Sequence, residues 1–227
     1  MTVGAVIVGA GASTRAGVDK VFADLAGEPV VAYSLRAFEA SPSVDRVVLV
    51  LAERNLEQGR ELVRRGGWRK VARVCQGGAR RQDSVAAGLR QLRDCDWVVI
   101  HDAARPLITP ELIERGIAEA GVTGGAIAAV PVTDTIKVVG PDFVILDTPA
   151  RAALWAVQTP QVFGYRLIVA AYESAQAEVT DDAMLLEQQG HPVRVYPSSP
   201  DNIKITLPQD LLLAAVLLER RRCQGSA

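Results

Sequence analysis

The feature that most constrains the fold is an alternation of short apolar runs with longer helical patterns over the first 130 residues. Runs of four to six mostly apolar, often β-branched residues predict strands at residues 4–8, 46–51, 71–75, 97–100 and 126–130. Between them, apolar side chains recur at helical spacing in residues 30–39, 56–65, 82–92 and 110–120. The order of these elements is that of repeated strand–helix–strand units.

Repeated units of this kind predict an α/β fold. Continuous apolar strands are typical of positions buried on both faces of a sheet, and right-handed crossovers place such strands parallel to one another with helices on both faces. Ligands of such sheets bind in the crevice beyond the carboxyl ends of the strands. We expect one domain over residues 1–227 with its functional loops at that edge.

The alternation stops after Pro131. Residues 135–139 and 143–146 are two short β-type runs around Gly140, Pro141 and Asp142, which predicts a hairpin. A hairpin of this size is marginal alone, so we expect a β-arm at about residues 135–149 that projects from the sheet. Helices at residues 165–175, 182–189 and 208–222 and a strand at residues 193–196 complete the predicted elements.

Composition excludes several classes of function. The 25 Lys and Arg residues balance 26 Asp and Glu, and 5% of the residues are aromatic, so no basic surface for nucleic acid is expected. No apolar run reaches the roughly 20 residues of a membrane span. Cys75, Cys95 and Cys223 do not have the spacing of a disulfide framework or a zinc site. With no basic leader after Met1, we expect a cytoplasmic protein without a nucleic-acid or membrane partner.

The first predicted strand ends in a glycine-rich loop, residues 9–20, whose backbone N–H groups could approach a phosphate. Arg15 and Lys20 would place two cations beside it. The loop fits neither the dinucleotide-binding pattern, because Thr14 stands at its third glycine, nor the P-loop pattern, because Val18 follows Gly17. The alternative is a plain strand-to-helix turn with solvated cations.

Lysine is rare in this chain. Only four of the 25 cationic side chains are lysines, at positions 20, 70, 137 and 204. A compact ammonium can sit between phosphate oxygens as a point charge, whereas a guanidinium imposes a planar fork. Lys20 and Lys204 are therefore candidates for positions that require lysine.

Two further polar clusters follow predicted strands. Residues 76–84 contain Gly77 and Gly78 and open a helix, although this segment could also be a loop with a helix cap at Asp83 or Ser84. Residues 101–106 read HDAARP at the carboxyl end of another strand. Within this segment, Asp102 and Arg105 could simply form an ion pair with each other. A general base at His101 is possible, but phosphoryl-type transfer depends on positioning and charge neutralisation instead.

Taken together, the clusters resemble a known family. The ordered set comprises the glycine-rich loop, residues 77–78 with 84–85, HDAARP at 101–106, Asp134 and Thr135, residues 154–161, residues 180–183 and DNIK at 201–204. This set closely resembles the 2-C-methyl-D-erythritol 4-phosphate cytidylyltransferases of the non-mevalonate isoprenoid pathway, over roughly residues 3 to 217. HDAARP and DNIK are the discriminating segments, because many nucleotidyltransferases share the loop.

The resemblance implies both a fold and a reaction. The fold would be a Rossmann-like nucleotidyltransferase fold, with a mostly parallel twisted sheet, helices on both faces and a projecting β-arm. The reaction would transfer CMP from CTP to methylerythritol phosphate and release pyrophosphate. The resemblance further implies Mg²⁺ held mainly by the CTP phosphates, and a homodimer formed through the β-arm.

The resemblance also implies roles for individual residues. Arg15, Lys20, Arg151 and Lys204 would be catalytic. The nucleotide would be bound by Gly9, Ala10, Gly11, Gly77, Gly78, Ser84, Asp102 and Ala103. The acceptor would be bound by Arg105, Thr135, Arg151, Thr159, Thr180 and Lys204. Asp102 is the candidate for contacting the metal, although the direct metal ligands are not assigned.

Two other functions remain open at this point. A cytidylyltransferase for another polyol phosphate, such as ribitol 5-phosphate, would keep the nucleotide site and differ around Thr135, Arg151 and Thr180. A non-catalytic nucleotide-binding homologue would lose the cations, and their retention argues against it. Ser13 and Ala16 depart from the family pattern of the loop, and the interval between its two cations is short.

Overall fold

The structure, a computed structural model, describes residues 1–11, 19–175 and 179–224, which form eleven β-strands and seven α-helices. The strands are β1 (Val3–Gly9), β2 (Asp24–Leu25), β3 (Glu28–Pro29), β4 (Arg46–Leu51), β5 (Val71–Gln76), β6 (Trp97–Asp102), β7 (Gly125–Pro131), β8 (Val138–Val139), β9 (Ile145–Asp147), β10 (Trp155–Gly164) and β11 (Arg194–Pro197). The helices are α1 (Val30–Ala40), α2 (Leu56–Gly66), α3 (Arg81–Leu89), α4 (Pro110–Thr123), α5 (Tyr165–Ser174), α6 (Ala183–Glu187) and α7 (Pro208–Gln224).

Seven strands form one sheet in the order β11-β7-β10-β6-β1-β4-β5. Neighbours are parallel except at β10, which runs antiparallel to both β6 and β7. The carboxyl ends of β1, β4 and β6 therefore meet at one edge. The prediction of an α/β fold with a mostly parallel sheet is confirmed.

Alternate side chains of β1 supply two separate cores, one on each face of the sheet. Val3, Ala5 and Ile7 pack in a cluster that includes side chains of α1 and α4, whereas Val6 and Val8 pack in a cluster that includes side chains of α3 and α5. All five are buried. Apolar residues at consecutive positions are thus required because helices cover both faces.

Local sequence signals set the ends of several helices. Thr109 caps α4, because its side-chain oxygen accepts a hydrogen bond from the Leu112 N–H at 3.3 Å, and Pro110 occupies the first turn. The helix stops at Gly124, whose φ of 90° lies in the left-handed region that favours glycine. These signals place α4 close to its predicted position.

Some predicted elements need correction. The strand predicted at residues 71–75 lies at the edge of the sheet as β5 and is not buried on both faces, since half of its residues are exposed. The helix predicted at residues 82–92 is α3, which ends at Leu89. The short β2–β3 ribbon was not predicted, because two-residue strands have no detectable periodicity.

The main element that the sequence did not predict is β10, a ten-residue strand at the centre of the sheet. Its polar residues Gln158, Thr159 and Gln161 interrupt the apolar pattern, yet all three are buried. The pairing with β7 is interrupted between Val157 and Gln161, and Pro160 lies in this irregularity. A proline is tolerated there because no ladder hydrogen bond is lost.

The predicted hairpin is present, with shorter strands. Val138 pairs with Asp147 and Val139 with Ile145. They form a two-stranded antiparallel ribbon that is separate from the seven-stranded sheet. Its apolar side chains are exposed, with Phe143 at 89%.

No helix among the described residues is long and apolar enough to cross a membrane.

Two glycines within helices, Gly88 in α3 and Gly121 in α4, are predicted to change the stability in opposite directions when replaced by alanine. A Cβ at Gly88 would lie 2.4 Å from Cγ1 of Val6, whereas nothing lies within 4 Å of a Cβ at Gly121 in α4. Valine cannot rotate away freely, so we expect Gly88→Ala to lower the free energy of unfolding by about 1–3 kcal/mol. Gly121→Ala should raise it by up to about 1 kcal/mol. Urea denaturation measures both; equal effects would contradict this packing.

Candidate active site

Two adjoining cavities open where β1 and β6 end. The smaller, of about 210 Å³, is lined by Gly9, Gly11 and Lys20 among others. The larger, of about 540 Å³, is lined mainly by residues of β10 and of the segment 180–187, which includes α6. Arg81, Asp102 and Lys204 line both cavities and therefore form their common wall. This is the edge at which a parallel sheet presents its ligands.

The carboxylate of Asp102 lies at the centre of this wall. Lys204 Nζ is 2.7 Å from its Oδ2, Arg81 Nε is 3.2 Å from its Oδ1, and Arg105 Nε is 3.8 Å from its Oδ2. Burial alone would raise the pKa of Asp102, but the charges of Arg81, Lys204 and Arg105 outweigh it and hold the pKa well below its usual range. The side chain is therefore a permanent anion that gathers three cations.

Arg81 bridges the carboxylates of Asp102 and Asp182. It was not among the predicted site residues. Its Nη2 lies 2.8 Å from Oδ2 of Asp182, a fully buried carboxylate that also accepts a hydrogen bond from the Tyr172 hydroxyl. Burial would lower the pKa of Arg81, but Asp182 and Asp102 raise it further above its ordinary value. The only sequence signal for Arg81 is its place in the segment that opens a helix.

His101 is held in one tautomer between two partners. Its Nε2 lies 3.2 Å from the carbonyl oxygen of Arg105 and must donate to it, so Nδ1 accepts from the Thr159 hydroxyl at 3.0 Å. The Thr159 oxygen accepts in turn from the Asp102 N–H at 3.1 Å. Burial lowers the pKa of His101 to about 3. A neutral, fully engaged imidazole is a structural group and not a general base.

The predicted nucleotide residues fall into three groups. Gly9, Gly11 and Asp102 line the smaller cavity; Arg15, which was predicted to be catalytic, lies outside the described residues. Ala10 is buried against the turn of Gly77 and Gly78, where a Cβ on Gly77 would be 2.4 Å from Ala10 Cβ. Ser84 fixes this turn by accepting from the Gly78 N–H at 3.1 Å. Ala103 is buried and donates its N–H to Val8 O.

The predicted acceptor residues are divided between two places. Arg105, Thr159, Thr180 and Lys204 line the larger cavity. Thr135 and Arg151 do not, since both are exposed at the base of the β-arm, where Arg151 Nη1 donates to Thr133 O at 2.9 Å. Within one chain the structure therefore brings together four of these six residues.

Polar residues that belong to the segments of the resemblance, but had no predicted role of their own, support the larger cavity. Gln158, Gln161 and Asp181 line it. Asn202 is buried and holds β10 in place, because its Nδ2 donates to Gln158 Oε1 at 2.9 Å and to Thr159 O at 2.8 Å. The Asn202 carbonyl accepts from Arg105 at 2.8 Å. The DNIK segment thus acts through its asparagine as well as through its lysine.

The described residues contain no group of three or more His, Cys, Asp or Glu side chains that could hold a metal ion. Asp102 is the carboxylate common to both cavities. Mg²⁺ commonly binds through one or two carboxylates together with substrate phosphates. The donor set therefore fits a magnesium ion carried by a phosphate substrate and does not fit an all-protein cage.

Comparison with known proteins gives a consistent result. The family model for 2-C-methyl-D-erythritol 4-phosphate cytidylyltransferase matches residues 3–220. The enzyme of that name from Dehalococcoides mccartyi (strain CBDB1) is 50% identical over 97% of this chain and 97% of its own. The one from Alkaliphilus oremlandii is 42% identical over 96% and 95%. The crystal structure of 4-diphosphocytidyl-2C-methyl-D-erythritol synthase from Anaerococcus prevotii superposes with a TM-score of 0.87 at 26% identity, covering 96% and 98%.

The buried His101 predicts a pH dependence of stability. Its folded pKa lies far below the ordinary value of 6.5, so the unfolded chain binds a proton that the folded chain does not. The stability that depends on the neutral ring is complete above about pH 6.5 and is lost as the pH falls towards 3. Between pH 8 and 5 we expect wild type to lose about 2 kcal/mol more than His101→Gln. Parallel curves from urea denaturation would contradict this.

Proposed function

Because the chain belongs to the 2-C-methyl-D-erythritol 4-phosphate cytidylyltransferase family, it is a cytidylyltransferase of isoprenoid synthesis, and we propose that its two adjoining cavities bind the two substrates. CTP would occupy the smaller cavity and methylerythritol phosphate the larger one. The products would be 4-diphosphocytidyl-2-C-methyl-D-erythritol and pyrophosphate. Asp102, Arg81 and Lys204 would lie at the point where the two substrates meet.

The observation that carries this proposal is the concentration of cations around the common wall. Lys20, Arg81 and Lys204 line the smaller cavity, and Arg105 adds a fourth positive charge at the larger one. Of the described residues that line the smaller cavity, Asp102 is the one carboxylate, whereas Asp181 and Glu187 also line the larger cavity, so the excess of positive charge lies in the smaller one. That excess suits a triphosphate, and electrostatic stabilisation of this kind is the main requirement of phosphoryl-type transfer.

The chemistry follows from where these charges lie. A phosphate oxygen of the acceptor attacks the α-phosphorus of CTP in line; one P–O bond forms, and the bond to the bridging oxygen of pyrophosphate breaks. Negative charge grows on the α-phosphoryl oxygens and on the leaving pyrophosphate. Lys20, which lines the smaller cavity, would offset the charge on the triphosphate side. Lys204, held by Asp102, contacts both cavities and would orient the acceptor phosphate.

We propose Mg²⁺ as the cofactor, held by CTP with Asp102 as the nearest carboxylate, because the site offers this one acidic group to both cavities. When bound, the ion would offset phosphate charge.

We also expect a cytoplasmic location, since Cys75, Cys95 and Cys223 are all free thiols, as is usual in a reducing compartment.

We propose that the chain forms a homodimer through the β-arm. The arm exposes Val138, Val139, Phe143, Ile145 and Leu146, and a ribbon of this size is not stable as an isolated projection. A two-fold axis would bury the arm of each subunit on the other. Arg151 lies at the base of the arm and outside both cavities of its own chain, so it would serve the acceptor site of the partner subunit.

A lysine exchange tests the assignment of charge. We expect Lys20→Ala to lower kcat by roughly 10²–10³ with a smaller effect on the KM for CTP, because it removes charge stabilisation in the transition state. Lys20→Arg keeps the charge but changes its shape and should recover only part of the activity. The rate of pyrophosphate release measures the activity of wild type and of both variants. Turnover of Lys20→Ala within a few-fold of wild type would remove Lys20 from the mechanism.

Mixed dimers test the role of the arm. In a heterodimer of one Lys20→Ala chain and one Arg151→Ala chain, an arrangement in which Arg151 acts on the partner leaves one site with both wild-type residues and one with neither. We expect roughly half of the wild-type activity if the two sites are independent. A heterodimer as inactive as either mutant homodimer would show that Arg151 acts within its own subunit.

A further inference from the structure

The backbone around Lys20 is fixed by the residue that precedes it. The Asp19 carboxylate accepts a hydrogen bond from the Val21 N–H at 3.1 Å, and the Asp19 carbonyl accepts one from the Phe22 N–H at 3.2 Å. Val21 is buried and its carbonyl accepts from the Val31 N–H at 3.0 Å. Lys20 therefore lies in a short turn whose C-terminal side is tied to α1.

The other side of the turn is tied to the segment between β4 and α2. The second carboxylate oxygen of Asp19 accepts a hydrogen bond from Asn55 Nδ2, and the same oxygen lies 3.7 Å from Arg54 Nη2. Asn55 is buried, with 6% of its surface exposed, and its own N–H donates to Ala52 O at 2.9 Å. It lies in the short segment between β4 and α2, directly before the first turn of that helix.

Asp19 and Asn55 lie outside the two cavities proposed to bind the substrates. Neither residue lines either cavity, whereas Lys20 lines the smaller one. A flexible lysine loses part of its effect on a transition state when its backbone can shift, because a displacement of about 1 Å in a catalytic group can lower the rate by about 10²-fold. A part-buried hydrogen bond to the adjacent Asp19 would restrict such a shift.

We propose that the Asp19–Asn55 hydrogen bond is a positioning device that holds the ammonium group of Lys20 at the nucleotide cavity. Neither residue touches the reacting atoms; both act through the backbone of Lys20. This inference rests on the proposed catalytic role of Lys20, and the experiment separates the two.

The main variant is Asn55→Asp, which sets two carboxylates against each other and removes the donor. Aspartate starts a helix as well as asparagine does, so α2 should still form. With methylerythritol phosphate and CTP as substrates, we expect kcat to fall about 10²-fold while the KM for CTP changes far less. A purely structural loss would instead appear as a lower melting temperature or a smaller fraction of active enzyme.

The sharpest test exchanges the partners. The double variant Asp19→Asn/Asn55→Asp restores one donor facing one acceptor, and residue 19 keeps an oxygen for the Val21 N–H. We expect it to recover most of the kcat that Asn55→Asp loses. The matched control is Arg54→Ala, which removes the long, exposed ion pair to the same Asp19 oxygen and should leave kcat nearly unchanged because exposed pairs contribute little.

A cycle with Lys20→Ala distinguishes the two levels of the inference. If the pair acts through Lys20, Asn55→Asp should cause no further loss of kcat in the Lys20→Ala background. An active Lys20→Ala enzyme would overturn the proposed role of Lys20 itself. An inactive Lys20→Ala together with a fully active Asn55→Asp, or a double variant no better than Asn55→Asp, would overturn the positioning role alone.

Discussion

The burial of one carboxylate organises this molecule. Asp102 ends a central strand where water is largely excluded, and an anion in such a place is stable only when cations and donors surround it. The cations come from three segments far apart in the chain: the start of α3, the loop after β6 and the segment before α7. Satisfying Asp102 therefore brings these segments together and makes the wall that both cavities share.

The first half of the fold could be predicted because its strands are buried on both faces and its helices carry ordinary capping signals. β10 could not, since Gln158, Thr159 and Gln161 are polar residues at the centre of a sheet. Their burial is possible only because Asn202, His101 and Asp181 lie opposite as hydrogen-bond partners. A pattern that depends on partners from remote segments cannot be detected as periodicity within one segment.

The candidate site shows the same division. Lys20 and Lys204 could be selected because lysine is rare here, Asp102 because the HDAARP segment is distinctive, and Thr159 through the family resemblance. Arg81 could not, since arginine is the usual cation of this chain and only its two buried carboxylate partners distinguish it from its neighbours. Thr135 and Arg151 line neither cavity of their own chain, so the role proposed for Arg151 requires a second subunit, which no single-chain pattern describes.

The neutral imidazole of His101 has a consequence for how the enzyme works in a living cell. Its pKa, that of Asp102 and that of Arg81 are all displaced away from neutrality. Each of these groups keeps one ionisation state while the pH of its surroundings drifts. Asp102 and Arg81 therefore present constant charges to the proposed substrate cavities when the pH drifts around neutrality, whereas the second ionisation of a phosphate monoester, with a pKa of about 6, changes within that range.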